Sequence, residues 1–496
     1  MAYAMGTVGR RLPRDGWRVW MVGGLLLLAG LLSRATPAAA QESGAPLPLS
    51  GRVTMGATGS SGAQAPFWLV SNRHGRVART AESAWLSGRV AGPLLHRGPL
   101  EVSVAADVLA RGTAPATVHA HELYGRVEVG PLRATVGRAA YQQGIVDSTL
   151  SMGSTTWGRN TTPVPAVRVG TPSYLEVPGT NGFVGVKGTF AHGWFEQDRS
   201  TERPYLHEKQ AYVRLLPQDG PVQLHAGVIH NVMWGGTDPT IGDLPDGLDA
   251  FWRVASGTRI DEEAAEELPE GEDSGLGNTV AAYDAAITAQ AWGWRGKVYR
   301  EFYIETAASR QLRNVWDGLW GANLVRRSGS GLVNRVLYEH LRLVRHNAVW
   351  GAEGRRGRRG REVYYNNFRY RNGWTHEGRV LGPPLVLSDQ YAPRLISPDR
   401  SSDRPLINDI VVAHHLGVAG DVTAGWGYEA FLTYSRNHGA VFNPLSRHDQ
   451  VTMLLEGQGP LLPERDLSLR VGLAADLGAA FEDRVGGLVA LQWQLQ

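Results

Sequence analysis

Apolar and polar positions alternate along most of the chain. In 100–109, Leu100, Val102, Val104, Ala106 and Val108 fall on one side, and Glu101, Ser103 and Asp107 on the other. The same two-residue period organises 207–215, where His207, Lys209, Ala211, Val213 and Leu215 oppose Glu208, Gln210, Tyr212 and Arg214. It returns in 222–228, in 467–477 and in the final Val489, Leu491, Trp493, Leu495. Successive side chains of a strand project to opposite faces of its sheet, so this period predicts strands with one apolar and one polar face. After Leu32 no apolar run reaches the roughly 18 residues of a spanning helix.

Two architectures satisfy the pattern. A β-sandwich or propeller buries the apolar face in a core; a transmembrane barrel turns it to lipid and keeps the polar face for the lumen. Several strands run about 10 residues, the length a tilted strand needs to cross a bilayer. Tight turns such as Val129-Gly130-Pro131-Leu132 and Gln218-Asp219-Gly220-Pro221 alternate with long polar excursions, the habit of outer-membrane barrels. No motif repeats at a propeller period. The reading is all-β: an antiparallel transmembrane outer-membrane β-barrel with long extracellular loops. At on the order of 25 residues per strand with its loop, it has about 18 strands.

The first 40 residues read differently. Arg10, Arg11, Arg14 and Arg18 precede an uncharged run from Val19 to Leu32, and Ala38-Ala39-Ala40 follows. A basic region, a short apolar region and an A-x-A site predict a secretory signal peptide over 1–40, with the barrel domain over 41–496. Those 40 residues hold five arginines and one aspartate, so the net charge of +3 becomes −1 in the mature chain. A near-neutral, exported chain gives no reason to invoke nucleic acid. It has no cysteine, which excludes disulfides, thiolate metal sites and a Cys nucleophile. All but three of its 50 basic residues are arginine.

Long interruptions are expected at 141–180, 233–275, 344–361 and 383–403. Asp261 to Asp273 packs eight acids into 13 residues, and Arg355, Arg356, Arg358, Arg359 and Arg361 form a basic run. Both read as solvated loops, since like charges repel. The arginines could also grip acidic sugars or lipid phosphates, and the acids a divalent cation.

Local strings add a resemblance. In order they are Pro66-Phe67-Trp68-Leu69-Val70-Ser71-Asn72-Arg73-His74-Gly75-Arg76; Arg168-Val169-Gly170-Thr171-Pro172; and Phe190-Ala191-His192-Gly193-Trp194-Phe195. His207-Glu208-Lys209, HNVMWGG over 230–236 with Trp234, and Asp317-Gly318-Leu319-Trp320-Gly321 follow. Then come Tyr364-Tyr365-Asn366-Asn367, Asn372-Gly373-Trp374 and Tyr434-Ser435-Arg436-Asn437-His438-Gly439. Together, over about 60–440, they resemble the capsule assembly protein Wzi family of Gram-negative outer membranes. The resemblance implies a lectin-like barrel that holds exported capsular polysaccharide at the cell surface, without catalysis. It also implies contact with outer-membrane lipid and lipopolysaccharide, and with polysaccharide export machinery.

A glycan reader needs aromatic faces for sugar C–H surfaces and planar polar groups for hydroxyl pairs. Candidates are Asp317, Trp320, Tyr364, Tyr365, Asn366, Asn367, Trp374 and the arginines of 355–361. Against this, tryptophans also form interfacial girdles, and Asn366-Asn367 also suits a turn. Asn72, His192, His207, Glu208, Lys209, Trp234 and Asn437 lie in the family strings with no role assigned. On a strand His207 and Lys209 share a face and Glu208 points away, so no triad assembles locally and an ion-pair ladder in the lumen is expected. His119 and His121 share a face and supply two of the four ligands a metal needs, with Glu122 pointing away. No metal or cofactor is expected. Two other readings remain open: a porin or sugar-uptake channel, and a secreted β-rich carbohydrate-active enzyme, for which no carboxylate pair stands out.

Overall fold

The computed structural model describes residues 49–113, 116–240, 242–257, 277–305, 307–328, 330–345, 363–423 and 425–495. The expected signal peptide, the acidic run and the arginine run lie outside them. Eighteen strands close into one antiparallel barrel. They are β1 (Ser50–Ser60), β2 (Ser83–Arg97), β3 (Leu100–Gly112), β4 (Thr117–Val129), β5 (Leu132–Arg138) and β6 (Pro165–Gly170). Next come β7 (Val184–Trp194), β8 (Tyr205–Leu215), β9 (Val222–Trp234), β10 (Asn278–Ala291), β11 (Trp294–Ile304) and β12 (Gly318–Arg326). The last six are β13 (Arg335–Leu343), β14 (Val411–Thr423), β15 (Trp426–Ala440), β16 (Asn443–Leu462), β17 (Leu467–Gly478) and β18 (Arg484–Leu495). A short continuation of β6, Leu175–Glu176, also pairs with β7. Each strand pairs with the next, and β18 returns to β1 from Gly51–Leu495 to Ser60–Gly486, which leaves no sheet edge.

The alternation resolves as a lipid-facing outside and a polar inside. Met55, Leu86, Val108, Leu123, Val228, Ile287, Val298, Leu324, Leu432, Leu455, Leu473 and Val489 are exposed on the outer wall. The opposite phase of the strands, with Asp107, Glu122, Asn231, Glu301, Asn323, Glu339, Thr433, Glu456 and Asp476, is buried within. With no water in the bilayer core, only a closed ladder of this kind satisfies every backbone group.

The end that carries the start of β1 and the end of β18 has tight connections. Gly98-Pro99 and Gly130-Pro131 turn with positive φ at each glycine, and Trp292-Gly293 with positive φ at both residues. Such turns match the strand twist of a hairpin. The opposite end carries the long connections. The sequence expectation of a loop over 141–180 shrinks to 139–164, because Pro165–Gly170 joins the wall as β6. The expected interruptions at 344–361 and 383–403 are parts of one connection from β13 to β14.

The lumen is filled. Three extracellular connections enter it: 61–82, with the buried turn of helix α1 (Phe67–Val70); 139–164; and 363–410. Trp68, Leu150, Met152, Trp157, Tyr365, Trp374, Leu381, Leu387 and Leu406 form an apolar core with inward Leu109, Leu319, Leu337 and Leu341. Packing is close enough to require glycine. A Cβ on Gly417 of the wall would sit 2.9 Å from the Leu150 Cβ, and one on Gly382 would sit 2.8 Å from the Tyr365 ring.

A second helix, α2 (Leu248–Ser256), lies outside the wall. Its Phe251 and Val254 pack on Trp234, Val232 and Tyr205 of β8 and β9, while Leu248 and Trp252 are exposed.

Placing a charge on the outer face tests which side meets hydrocarbon. Leu473→Arg, in the middle of β17, is expected to cost about 2–4 kcal/mol in denaturant titrations of folding into phospholipid vesicles. A change below about 0.5 kcal/mol would put this face out of the bilayer.

Candidate functional site

Carboxylates on the inner wall hold the plug through its backbone. Glu339 of β13 accepts from the Met152 N–H at 2.8 Å and the Ser151 hydroxyl at 2.6 Å, with the Tyr299 hydroxyl beside it. Glu301 of β11 accepts from the Thr155 N–H at 2.7 Å. Asp476 of β17 accepts from the Phe67 N–H at 2.9 Å while Arg484 donates to it at 2.7 Å. Arg73 and Arg76 of the first loop pair with Glu456 and Asp107 of the wall. Asp147 reaches toward the tight-turn ends of β12 and β13, where Arg335 and Asn323 donate to it at 3.0 and 2.7 Å. These wall residues are the inward phase of the strands, visible in the sequence only as polar positions.

Most of the sequence candidates among the described residues bind loop to loop inside this plug. Asp317 is buried at the rim and accepts from Arg342, from the Val344 and Arg345 N–H groups at 3.1 and 2.6 Å, and from the Tyr364 hydroxyl at 3.1 Å. Burial raises its carboxyl above the ordinary range, against those donors and the Arg342 charge. The Tyr365 hydroxyl donates to the Thr155 carbonyl and the Trp374 indole to the Thr156 carbonyl, each at 2.8 Å. Asn366 donates to the Leu406 carbonyl and to Asp409 at 3.1 and 2.9 Å. Asn367 caps a turn by accepting from the Arg369 and Tyr370 N–H groups. Trp320 stands apart from these: it projects outward from β12, 37% exposed, stacked on Trp316 at 6.1 Å. It belongs to the interfacial girdle rather than the mouth. Arg355, Arg356, Arg358, Arg359 and Arg361 lie outside the described residues.

The family-string residues scatter. Asn72, at φ +56, donates to the Met152 carbonyl at 2.9 Å. Buried Asn437 donates to the His448 carbonyl at 3.1 Å and accepts from Asn408 at 3.0 Å. Only half of the expected lumen ladder exists. Glu208 faces the lumen and pairs with Arg168 at 3.0 Å, but His207 and Lys209 face outward beneath α2, where Lys209 donates to the Ala255 carbonyl. His192 and Trp234 share that outer face, their rings 5.9 Å apart. The expected orientation of Glu122 is also corrected. A bulge opposite Asp107 and Val108 makes His121 an extra residue, so Glu122 turns inward beside the histidines and pairs with Arg89. Among the described residues no group of His, Asp and Glu is arranged to hold a metal.

Sequence reasoning missed the exposed mouth. Phe368 is half exposed, with the Arg404 guanidinium 4.3 Å from its ring centroid and Arg371 exposed nearby. Phe368 follows Asn366-Asn367 directly in the chain, so its place beside a family string was the available signal. Beneath this surface Asp409 is buried, which pushes its carboxyl up to about 8, against the Asn366 hydrogen bond and the Arg404 charge.

Comparison with known proteins comes to the same architecture. The sequence profile of the family described as capsule assembly protein Wzi matches residues 64–385. Among solved structures the chain is similar to Wzi of Escherichia coli, described as an outer-membrane protein of group 1 capsule assembly and a carbohydrate-binding β-barrel. Identity is 13% and the TM-score 0.55, over 89% of this chain and 83% of that one. It also aligns with Pseudomonas aeruginosa OccK5 at 10% identity and a TM-score of 0.45, over 90% of this chain and 97% of that one. An anion-selective porin of Comamonas acidovorans aligns at 9% identity and a TM-score of 0.39, over 90% and 99%. A search of curated sequences finds no match.

Two outcomes are expected. In planar bilayers the wild-type protein passes far less current than an open barrel of this strand number, and Glu301→Ala with Glu339→Ala raises it several-fold by freeing the 139–164 loop. Equal currents would detach the carboxylates from plug retention. The second concerns pH. The folded chain keeps the Asp409 proton up to about pH 8, whereas an unfolded aspartate loses it near its ordinary 3.8. Folded protein therefore holds more protons across that window, and stability falls as pH rises through it. Asp409→Asn is expected to flatten the loss between pH 5 and 8 in thermal melts.

Proposed function

The chain belongs to the capsule assembly protein Wzi family, and on that premise we propose that it holds an acidic surface polysaccharide on its extracellular cap. The fold and the family place it in a Gram-negative outer membrane as a capsule-assembly barrel. The observation that carries the finer reading is the exposed Phe368 ring under Arg404, with Arg371 beside it, on a cap that the plug holds rigid. An aromatic face suits the C–H surface of a sugar ring, and guanidinium groups suit its carboxylates. A rigid cap avoids the ordering cost that a mobile loop would incur. The arginine run at 355–361 belongs to the same connection as Phe368 and would extend the cationic surface.

The protein acts by binding rather than by catalysis. Supporting this, the cap carboxylates Asp317 and Asp409 are buried in bonds to neighbouring loop groups, unlike the solvent-accessible acid pair of a glycosidase. The buried candidates Tyr364, Tyr365, Asn366 and Trp374 support the surface from beneath.

Binding of an acidic capsular polymer to detergent-solubilised protein tests this. Phe368→Ala, Arg404→Ser and replacement of the five arginines by serine are each expected to weaken binding by about tenfold or less, the arginine variants also flattening its salt dependence. Deleting the gene should release long polymer into the medium without stopping its synthesis. Unchanged binding in all three variants, with polymer still cell-bound in the deletion strain, would end the proposal.

A further inference from the structure

The extracellular third of the outer wall is not uniform. Around β17, β18, β1 and β2 its outward residues are neutral: Leu477, Ala475, Val485, Ala57 and Ala84. On β13 to β16 the same face changes character just above the exposed Leu416, Leu432 and Leu455. Register places His340, His414 and Tyr434 side by side in one row, and Arg342, Val412, Arg436 and Asp449 in the next row outward. His438 and Arg447 complete the patch.

These groups form a connected surface. The His340 and His414 rings lie 4.6 Å apart, and the Tyr338 hydroxyl meets His414 Nδ1 at 2.8 Å. Arg447 donates to the Tyr434 hydroxyl at 2.8 Å. The acids within reach are taken. Arg447 grips Asp449 through two contacts of 2.7 and 2.8 Å, and Arg342 is bound to Asp317. Arg436 faces Asp449 across the ladder but makes no ion pair among the described residues, and its buried Nε has no hydrogen-bond partner. A guanidinium held on an outward face at the edge of the apolar band favours an anion at that height.

We propose that the outward face of β13–β16, centred on Arg436 with His340, His414, His438 and Tyr434, is a binding site for the phosphate of an outer-leaflet glycolipid. Its position selects the source: the groups face the bilayer side of the wall, below the rim, where the available anion is a lipid headgroup. Tyr338 and Tyr434 lie at the boundary, where an amphipathic ring is most stable, and the leucines beneath receive acyl chains. The site is separate from the cap and does not depend on polymer binding there.

The test uses full-length protein in detergent, stripped of lipid. Thermal stabilisation is followed on adding bis-phosphorylated lipid A, the same lipid A after removal of its phosphates, or inorganic phosphate. Only the phosphorylated lipid is expected to shift the melt. Arg436→Gln with His438→Gln is expected to weaken that response by about tenfold, the size of one charge-assisted hydrogen bond, while binding of polymer is unchanged. An equal shift from dephosphorylated lipid would reduce the patch to greasy contact, and saturation by inorganic phosphate would make it an anion site without a lipid; either overturns the proposal. An undiminished response in a double variant that shows the folded band on unheated gels would do the same. Should that variant fail to fold, the three wild-type additions still decide the matter.

Discussion

A carboxylate that faces a barrel lumen must meet water or a hydrogen-bond donor, and in this protein the donors are backbone N–H groups of the chain's own loops. Glu339, Glu301 and Asp476 stand on three different strands, and each receives an amide from a connection that enters the lumen. Loop backbone needs acceptors as much as wall carboxylates need donors, so each supplies what burial would otherwise leave unsatisfied. The plug's apolar residues then fill the space around those bonds. A barrel wide enough to be a channel becomes a solid body with an extracellular surface.

That arrangement explains why conspicuous residues are interior. Asp317, Tyr364, Tyr365, Asn366 and Trp374 fix one loop against another, and their hydrogen bonds end on carbonyls and amides rather than at the surface. Irregular backbone buried in a lumen has many polar atoms to match, and planar amides, phenols and indoles match them while filling volume. The exposed face of the cap is left to Phe368, Arg371 and Arg404, which stand on that frame. The outer wall has a comparable division, with a neutral arc on one side and a cationic, histidine-rich arc on the other. One barrel thus carries arginines on two separate surfaces, one at its mouth and one on its outer wall.

Strand existence, strand phase and strand number were legible in the sequence, because a period of two is a local property and each strand carries its own copy. The outward leucines and valines, the inward Asp476 of β17 and the Gly-Pro turns could all be placed before any contact was known. Tertiary structure decided what local pattern cannot encode. The entry of 61–82, 139–164 and 363–410 into the lumen depends on pairing with wall residues hundreds of positions away, as Phe67 with Asp476 shows. The inward turn of Glu122 depends on one bulged histidine that shifts the phase of β4, and the outward turn of Trp320 on which face of β12 meets lipid. Hydrophobic periodicity fixes which side of a strand is greasy; only closure of the cylinder fixes what each side then touches.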